Sequence, residues 1–492
     1  MVRIHRCFFA CKEIFAAMFF FRRHYRRLLP ALFFCCLTML LPAGPAQGFS
    51  VSEEKELGER LLVLIRKEFK LLDEPDITGY VRKLGREILA VAGPQFFDYH
   101  FFVINHKEFN AFAAPSGLIF IHSGLIEATA TEGELLGVLA HEVGHAASRH
   151  YADRLEKSKK VNIGTTALAL AGMVLGGGSA LGEAVMAGSM ATGATLGLQF
   201  SRQDEEEADR LAYKWMREMG RDPAEMLGML KKMRSISRFR RAQLPAYLLT
   251  HPEPEQRQFY IEDRLFMDRA PTRPAARDEA KEFEFQRVKY RILSLTRPTH
   301  ELLPLLRNKL KDGDQALDSF MARYGLVQVH LANRDYEQAL SELHLIMARF
   351  PNQPLLLADL GLIHLEAGRL EAARQFLADA AAQAPENPYI LFNLARARQQ
   401  AGQPAEAEII YQQLLTLISD YSRLHYRLGQ LRSDQGQKAA GHYHLGLYHW
   451  YEGDIKMARH HLNEALKGAP EEDPIHQQAK EQLATIDRLE KS

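Results

Sequence analysis

His141-Glu142-Val143-Gly144-His145 constrains this chain more than any other feature. Residues four apart on an α-helix lie one above the other, so both imidazoles point the same way and can reach one metal ion. Glu142 stands between them, where it can take a proton from a water at that ion. A chain that uses this motif for chemistry must bury the helix and bring further ligands to its polar face. The local sequence predicts such a helix. Thr131-Glu132-Gly133-Glu134 has the form of a capping box, and Leu135, Leu136, Val138, Leu139 and Val143 follow at helical spacing. The plainer alternative is a core helix with two hydrogen-bonded histidines. With 20 His and 61 acids in 492 residues, chance matches number on the order of 0.1 per chain, so the motif needs its context.

Two histidines leave a tetrahedral zinc short of protein ligands, because catalytic sites usually hold three plus a water. The best source of a third is the run from Ser201 to Arg210. Glu205 and Asp209 are also four apart and share a helix face. Glu205 is placed to bind the metal. Asp209 is placed to accept a bond from the free ring nitrogen of a ligand histidine, fixing its tautomer. Alone, this run reads as a solvated acidic surface; beside the histidine motif, the ligand reading is preferred.

Taken together, several segments resemble the M48-family zinc metallopeptidases of the bacterial periplasmic type. They are Asn110 through Gly117, His141 through His145, His150, Ser201 through Asp209, and Thr250-His251-Pro252 with Arg257. The resemblance implies an α+β, gluzincin-type peptidase domain with one Zn2+ per chain. It assigns the metal to His141, His145 and Glu205, the catalytic base to Glu142, and the steadying of a zinc histidine to Asp209. One departure is Ser116, where family members commonly carry a second glycine. His251 is a further catalytic candidate with two readings. It donates to the oxyanion, or it fills the fourth zinc position and silences the enzyme. Upstream, Ser116 through His122 reads as a short apolar strand. An exposed edge there would bind an extended substrate through backbone hydrogen bonds; the alternative is a buried strand with both edges paired.

Residues 1–48 have the layout of a signal peptide. Arg22, Arg23, Arg26 and Arg27 precede an apolar stretch from Leu28 to Leu41, and small residues follow, with cleavage expected after Ala46 or Gly48. The stretch is short for a membrane span of ~20 residues, although an uncleaved anchor is the runner-up. All four cysteines (7, 11, 35 and 36) fall in this leader, so the mature chain has no disulfide, consistent with export to the periplasm. The leader carries seven basic residues and Glu13; removing it takes the net charge from +1 to +1 − (7 − 1) = −5, which gives no basis for nucleic-acid binding.

Residues 161–200 carry one charge, Glu183, and a triple glycine at 176–178. They read as a helical hairpin of the core, with a mobile lid or an outer-membrane contact as the sharper alternative. After a linker at 268–280 the chain becomes repetitive. Gly368, Gly402 and Gly436 are 34 apart, as are Ala339, Ala373 and Ala407. That is the period of the tetratricopeptide repeat (TPR), two antiparallel helices per unit. The phase breaks once, because Gly436 to Gly453 is only 17, so a half-repeat is expected there. The expected organisation is signal peptide 1–48, peptidase 49–267, linker 268–280, and an all-α TPR superhelix 281–492 closed by a polar capping helix. Tyr389, Phe392, Tyr426, Tyr443, Tyr448 and Trp450 line a groove or pack between helices.

An exported M48 peptidase with such a tail resembles the family of β-barrel assembly-enhancing proteases of Gram-negative bacteria. That resemblance implies endoproteolytic quality control of unfolded or stalled outer-membrane proteins, with the barrel-assembly machinery as partner. The alternative is a chaperone or TPR scaffold whose peptidase site is latched or silent.

Overall fold

In this computed structural model the chain is described over residues 49–157, 166, 200–239, 246–268, 279–313 and 316–490. The signal-peptide segment, nearly all of the 161–200 segment and most of the 268–280 linker lie outside the described residues. Helices α1 (Val51–Glu68) and α2 (Pro75–Ala92) lead into a three-stranded sheet of order β1 (His100–Ile104), β3 (Leu118–His122), β2 (Ala111–Ala114). β3 pairs parallel with β1 and antiparallel with β2. The expectation of an exposed edge at 118–122 is therefore corrected. All five β3 residues are buried, and a continuous apolar run suits a central strand covered on both faces. The sheet edge on the motif side is β2.

α3 (Ser123–Ala128) and α4 (Glu132–Ala147) follow. The Thr131 hydroxyl accepts from Glu134 N at 3.1 Å, capping α4. The return arm lands one residue early, because Glu134 accepts from Ala130 N at 2.7 Å. After α5 (His150–Lys157), α6 (Arg202–Glu218) opens with a complete capping box between Ser201 and Asp204. α6 lies directly against α4. A Cβ at Gly144 would meet the Ala208 Cα at 3.1 Å, so the glycine inside the motif lets the two ligand helices approach. α7 (Glu225–Phe239), α8 (Ala246–Thr250) and α9 (Pro254–Met267) complete this half.

The second half is helical throughout: α10 (Glu279–Thr296), α11 (Thr299–Leu310), α12 (Leu317–Ala332), α13 (Tyr336–Arg349), α14 (Pro354–Glu366), α15 (Leu370–Gln383), α16 (Pro388–Gln400), α17 (Pro404–Leu417), α18 (Ser422–Asp434), α19 (Lys438–Tyr451), α20 (Ile455–Gly468) and α21 (Pro474–Glu490). The 34-residue period marks the turn inside each pair. Its 17-residue break is one helix long: α19 serves two pairs at once. Gly441 lies against Gly429 of α18, while Gly446 lies against Leu462 of α20. Of the groove candidates, Tyr389 and Phe392 are buried packing residues, whereas Tyr426 is exposed. No helix among the described residues is long and apolar enough to cross a membrane.

The repeats do not hang free. Lys289 Nζ of α10 donates to Thr129 O at 2.9 Å, and Gln286 Nε2 to Ala130 O at 3.2 Å. The superhelix then curves back onto the peptidase half. Arg82 pairs with Asp420 at 2.7 Å, and Ser422 Oγ bonds Asp73 at 3.1 Å. The Gly453 turn seats on the end of α1, where any Cβ would come within 2.4 Å of Arg66 O. Residues from Val51 onward accordingly form one compact unit.

Candidate metal centre

α4 presents His141 and His145 from one face, α6 presents Glu205 and Asp209 from the facing side, and His251 follows the short α8. All five are buried, as is Glu142. One ligand atom each from His141, His145, Glu205 and His251 lies within 4.8 Å of the others. The separations test whether a metal fits. A tetrahedral ion with bonds of ~2.0–2.1 Å needs ligand atoms about 3.3 Å apart. Here His141 Nε2 is 3.0 Å from His145 Nε2 and 3.3 Å from His251 Nδ1. Glu205 oxygens stand 3.6 Å from His141 Nε2, 3.4 Å from His145 Nε2 and 2.9 Å from His251 Nδ1. These are the edges of a coordination polyhedron. Lone pairs converge there, and His251 Nε2 has no hydrogen-bond partner. The donor set fits a divalent metal ion.

The surrounding residues fix these donors. Asp209 Oδ1 stands 2.9 Å from His141 Nδ1, so that ring's proton sits on Nδ1 and the Nε2 lone pair is free. His145 Nδ1 meets His150 Nδ1 at 2.9 Å. Phe200 stacks on His145 at 3.7 Å between centroids, and Arg154 covers the outer face of Phe200 at 4.1 Å. Tyr247 stacks on His251 at 4.3 Å. Arg257 of α9 grips both Asp209 oxygens at 2.8 Å and reaches Glu205 Oε2 at 2.8 Å. Burial pushes the Glu205 carboxyl up, but the neighbouring His251 and Arg257 outweigh it and hold it well below the usual range. Asp209 is likewise held down: burial raises it, and Arg257 and His141 lower it further. Burial keeps His145 neutral, well below the ordinary histidine value.

Glu142 stands apart from the ligand atoms. Its Oε2 accepts from Ala113 N of β2 at 2.9 Å. Its Oε1 is buried, has no hydrogen-bond partner, and lies 3.6 Å from His251 Nε2. Anchoring one oxygen through the sheet edge leaves the other as the free proton acceptor.

The structure thus gathers every site residue that the sequence singled out: His141, Glu142, His145, Glu205, Asp209 and His251. Sequence reasoning gave no role to Arg257, Phe200, Tyr247 or the Ala113 amide. Arg257 alone carried a signal, as part of the segment that begins at Thr250.

Residues 75–264 match Peptidase family M48, and residues 324–388 and 364–431 match tetratricopeptide repeats. A β-barrel assembly-enhancing protease of Yersinia pestis is 31% identical over 375 residues, which is 75% of each chain. The chain belongs to this family of M48 peptidases. Its counterpart in Escherichia coli K12 is 29% identical over 360 residues, covering 73% of this chain and 72% of the other. The metalloprotease LoiP of Escherichia coli K12 is 30% identical over 162 residues, 33% of this chain and 61% of its own. The protein is a metallopeptidase with C-terminal TPR repeats, and its four-residue cluster has an arrangement that fits a divalent metal.

Proposed function

We propose that this protein is an exported zinc endopeptidase that hydrolyses unfolded or misassembled proteins in outer-membrane quality control. Residues 1–48 direct it to the periplasm, 49–267 form the peptidase, and the repeats of 281–492 receive clients or the assembly machinery. The likeness to β-barrel assembly-enhancing proteases supports the pathway. The observation that carries the chemistry is the convergence of buried ligand atoms beside an unpartnered Glu142 Oε1.

His141, His145 and Glu205 would hold Zn2+, which would supply a Lewis acid for activating water and polarising a scissile carbonyl. Glu142 Oε1 takes the proton of the attacking water and passes it to the leaving amine. Asp209 keeps His141 in the ligating tautomer, and Arg257 keeps Asp209 and Glu205 ionised. The outer edge of β2, whose Ala113 amide already orients Glu142, is the surface along which an extended substrate adds a strand.

His251 is the latch in this reading. Its Nδ1 lies among the ligand atoms, 2.9 Å from Glu205 Oε1, which favours a fourth ligand over an oxyanion donor in the resting state. The same contact is what a silent, chaperone-like protein would show. Replacing His251 with Ala decides between them. Faster cleavage of an unfolded protein is the expected result. Slower cleavage would instead make His251 the oxyanion donor, and unchanged cleavage would remove it from the active site.

A further inference from the structure

The repeats line a cavity of about 470 Å³ against the start of α2, remote in sequence from the metal residues. Its size is within the range of ~300–1,000 Å³ typical of ligand pockets, so it takes a short segment rather than a folded domain. Its wall is cationic: four arginines against Glu74 and Glu366, 4 − 2 = +2. Three of the arginines are held by carboxylates. Arg423 pairs with Glu74 at 2.8 Å, Arg396 with Glu366 at 2.7 Å, and Arg291 reaches Asp76 at 3.5 Å. Arg427 is different. It donates to the neutral amide oxygen of Gln430 at 3.5 Å, and no carboxylate of the described residues pairs with it. One turn of α18 therefore shows the cavity a cation without a counter-charge.

An aromatic surface lies beside it. Tyr426, one residue before Arg427 in the sequence, is 37% exposed. Its ring packs at 5.3 Å from Tyr448 of α19, and its hydroxyl accepts from Gln430 at 2.9 Å. Exposed tyrosines held in place contribute contact area at small entropic cost. Successive helices of a TPR array present such side chains in a line, which suits an extended chain.

We infer that this cavity docks an extended peptide segment in which an acidic side chain stands beside an aromatic one. The carboxylate pairs with Arg427, and the ring packs on Tyr426 and Tyr448. This deepens the reading that the repeats receive clients, and rests on it.

The test uses the mature full-length protein with Glu142→Gln, so that probes are not cleaved. Fluorescence anisotropy compares a labelled octapeptide of alternating Glu and Phe with its Gln and Phe counterpart, each with a free or an amidated C-terminus. The Glu peptide is expected to bind roughly tenfold or more tightly, with or without the amide, and to weaken as salt rises. Adding Arg427→Gln should remove that preference, while Arg427→Lys keeps much of it. In the otherwise wild-type enzyme, Arg427→Gln should leave cleavage of short peptides unchanged. Equal binding of the Glu and Gln peptides overturns the inference, as does a preference that follows only the free C-terminus, or one that survives Arg427→Gln. Client processing separates the two readings. If Arg427→Gln abolishes the Glu preference but not processing of outer-membrane clients, the docking chemistry stands and recruitment fails. If processing falls while the Glu and Gln peptides bind alike, recruitment stands and the acidic segment is overturned.

Discussion

Two buried groups of charges hold this molecule together, and they are built on opposite rules. At the junction of α2, α10 and α14, Arg287 is fully buried and donates to Asp359 at 2.7 and 2.9 Å and to Asp76 at 3.3 Å. Tyr324 and Tyr389 sandwich its guanidinium at 5.1 and 5.0 Å, and the Tyr389 hydroxyl bonds Asp359 at 2.7 Å. Each guanidinium nitrogen meets a carboxylate, so the cation is matched within the group, although Asp76 Oδ1 and the Tyr324 hydroxyl find no partner. At the candidate metal centre, ligand atoms crowd together: two imidazole nitrogens 3.0 Å apart, with a carboxylate beside them. That arrangement gains stability when a cation joins it. A closed network fixes the peptidase half to the repeats; an open one marks the place of chemistry.

The contrast predicts different responses. The largest effect on stability belongs to the junction. Arg287→Ala takes the cation from buried Asp359, leaves Asp76 with Arg291 alone, and should cost ~3–5 kcal/mol in denaturant unfolding, with or without zinc. A loss that zinc restores would contradict the division of labour.

A smaller effect comes from Asp73, at the seam where Ser422 docks. Burial, with Glu452 and Glu74 nearby, pushes its carboxyl up from 3.8 to about 6. A raised acid contributes stability that is complete below about pH 4 and is lost as pH rises through about 6. Relative to Asp73→Asn, the wild type should therefore lose on the order of 2–3 kcal/mol between acid and neutral pH. Parallel unfolding curves across that range would remove Asp73 from the seam's pH response.

The smallest effect concerns Ser116, which takes φ 69° and ψ 26° just before β3. This left-handed conformation favours glycine. Ser116→Gly should stabilise the fold by about 0.5–1 kcal/mol, read as a raised Tm without change in activity.

Much of the site was legible because helices enforce it. Spacing of four puts His141 with His145 and Glu205 with Asp209 on common faces, and Ser201 and Asp204 announce where the second helix begins. The 34-residue period likewise told of paired helices. What was not legible depends on contacts between distant segments. Arg257 is 48 residues from Asp209 and 116 from His141, and nothing near it in the chain calls for a buried cation. The substrate edge was sought in the strongly apolar β3, whose very apolarity makes it central. The sheet edge beside the motif helix, Ala111–Ala114, is short and alanine-rich, a weak strand signal. That the repeats fold back onto α1 and α2 follows from the Gly453 turn, a glycine whose sequence position shows only a break in phase.

The most direct test of the account incubates zinc-loaded mature protein with an unfolded substrate, wild type beside Glu142→Gln. The account predicts cleavage by the wild type and a loss of roughly 10²–10⁴-fold in the variant, with zinc bound equally by both. Equal cleavage by the two proteins would contradict Glu142 as the base and, with it, the open network as the seat of the chemistry.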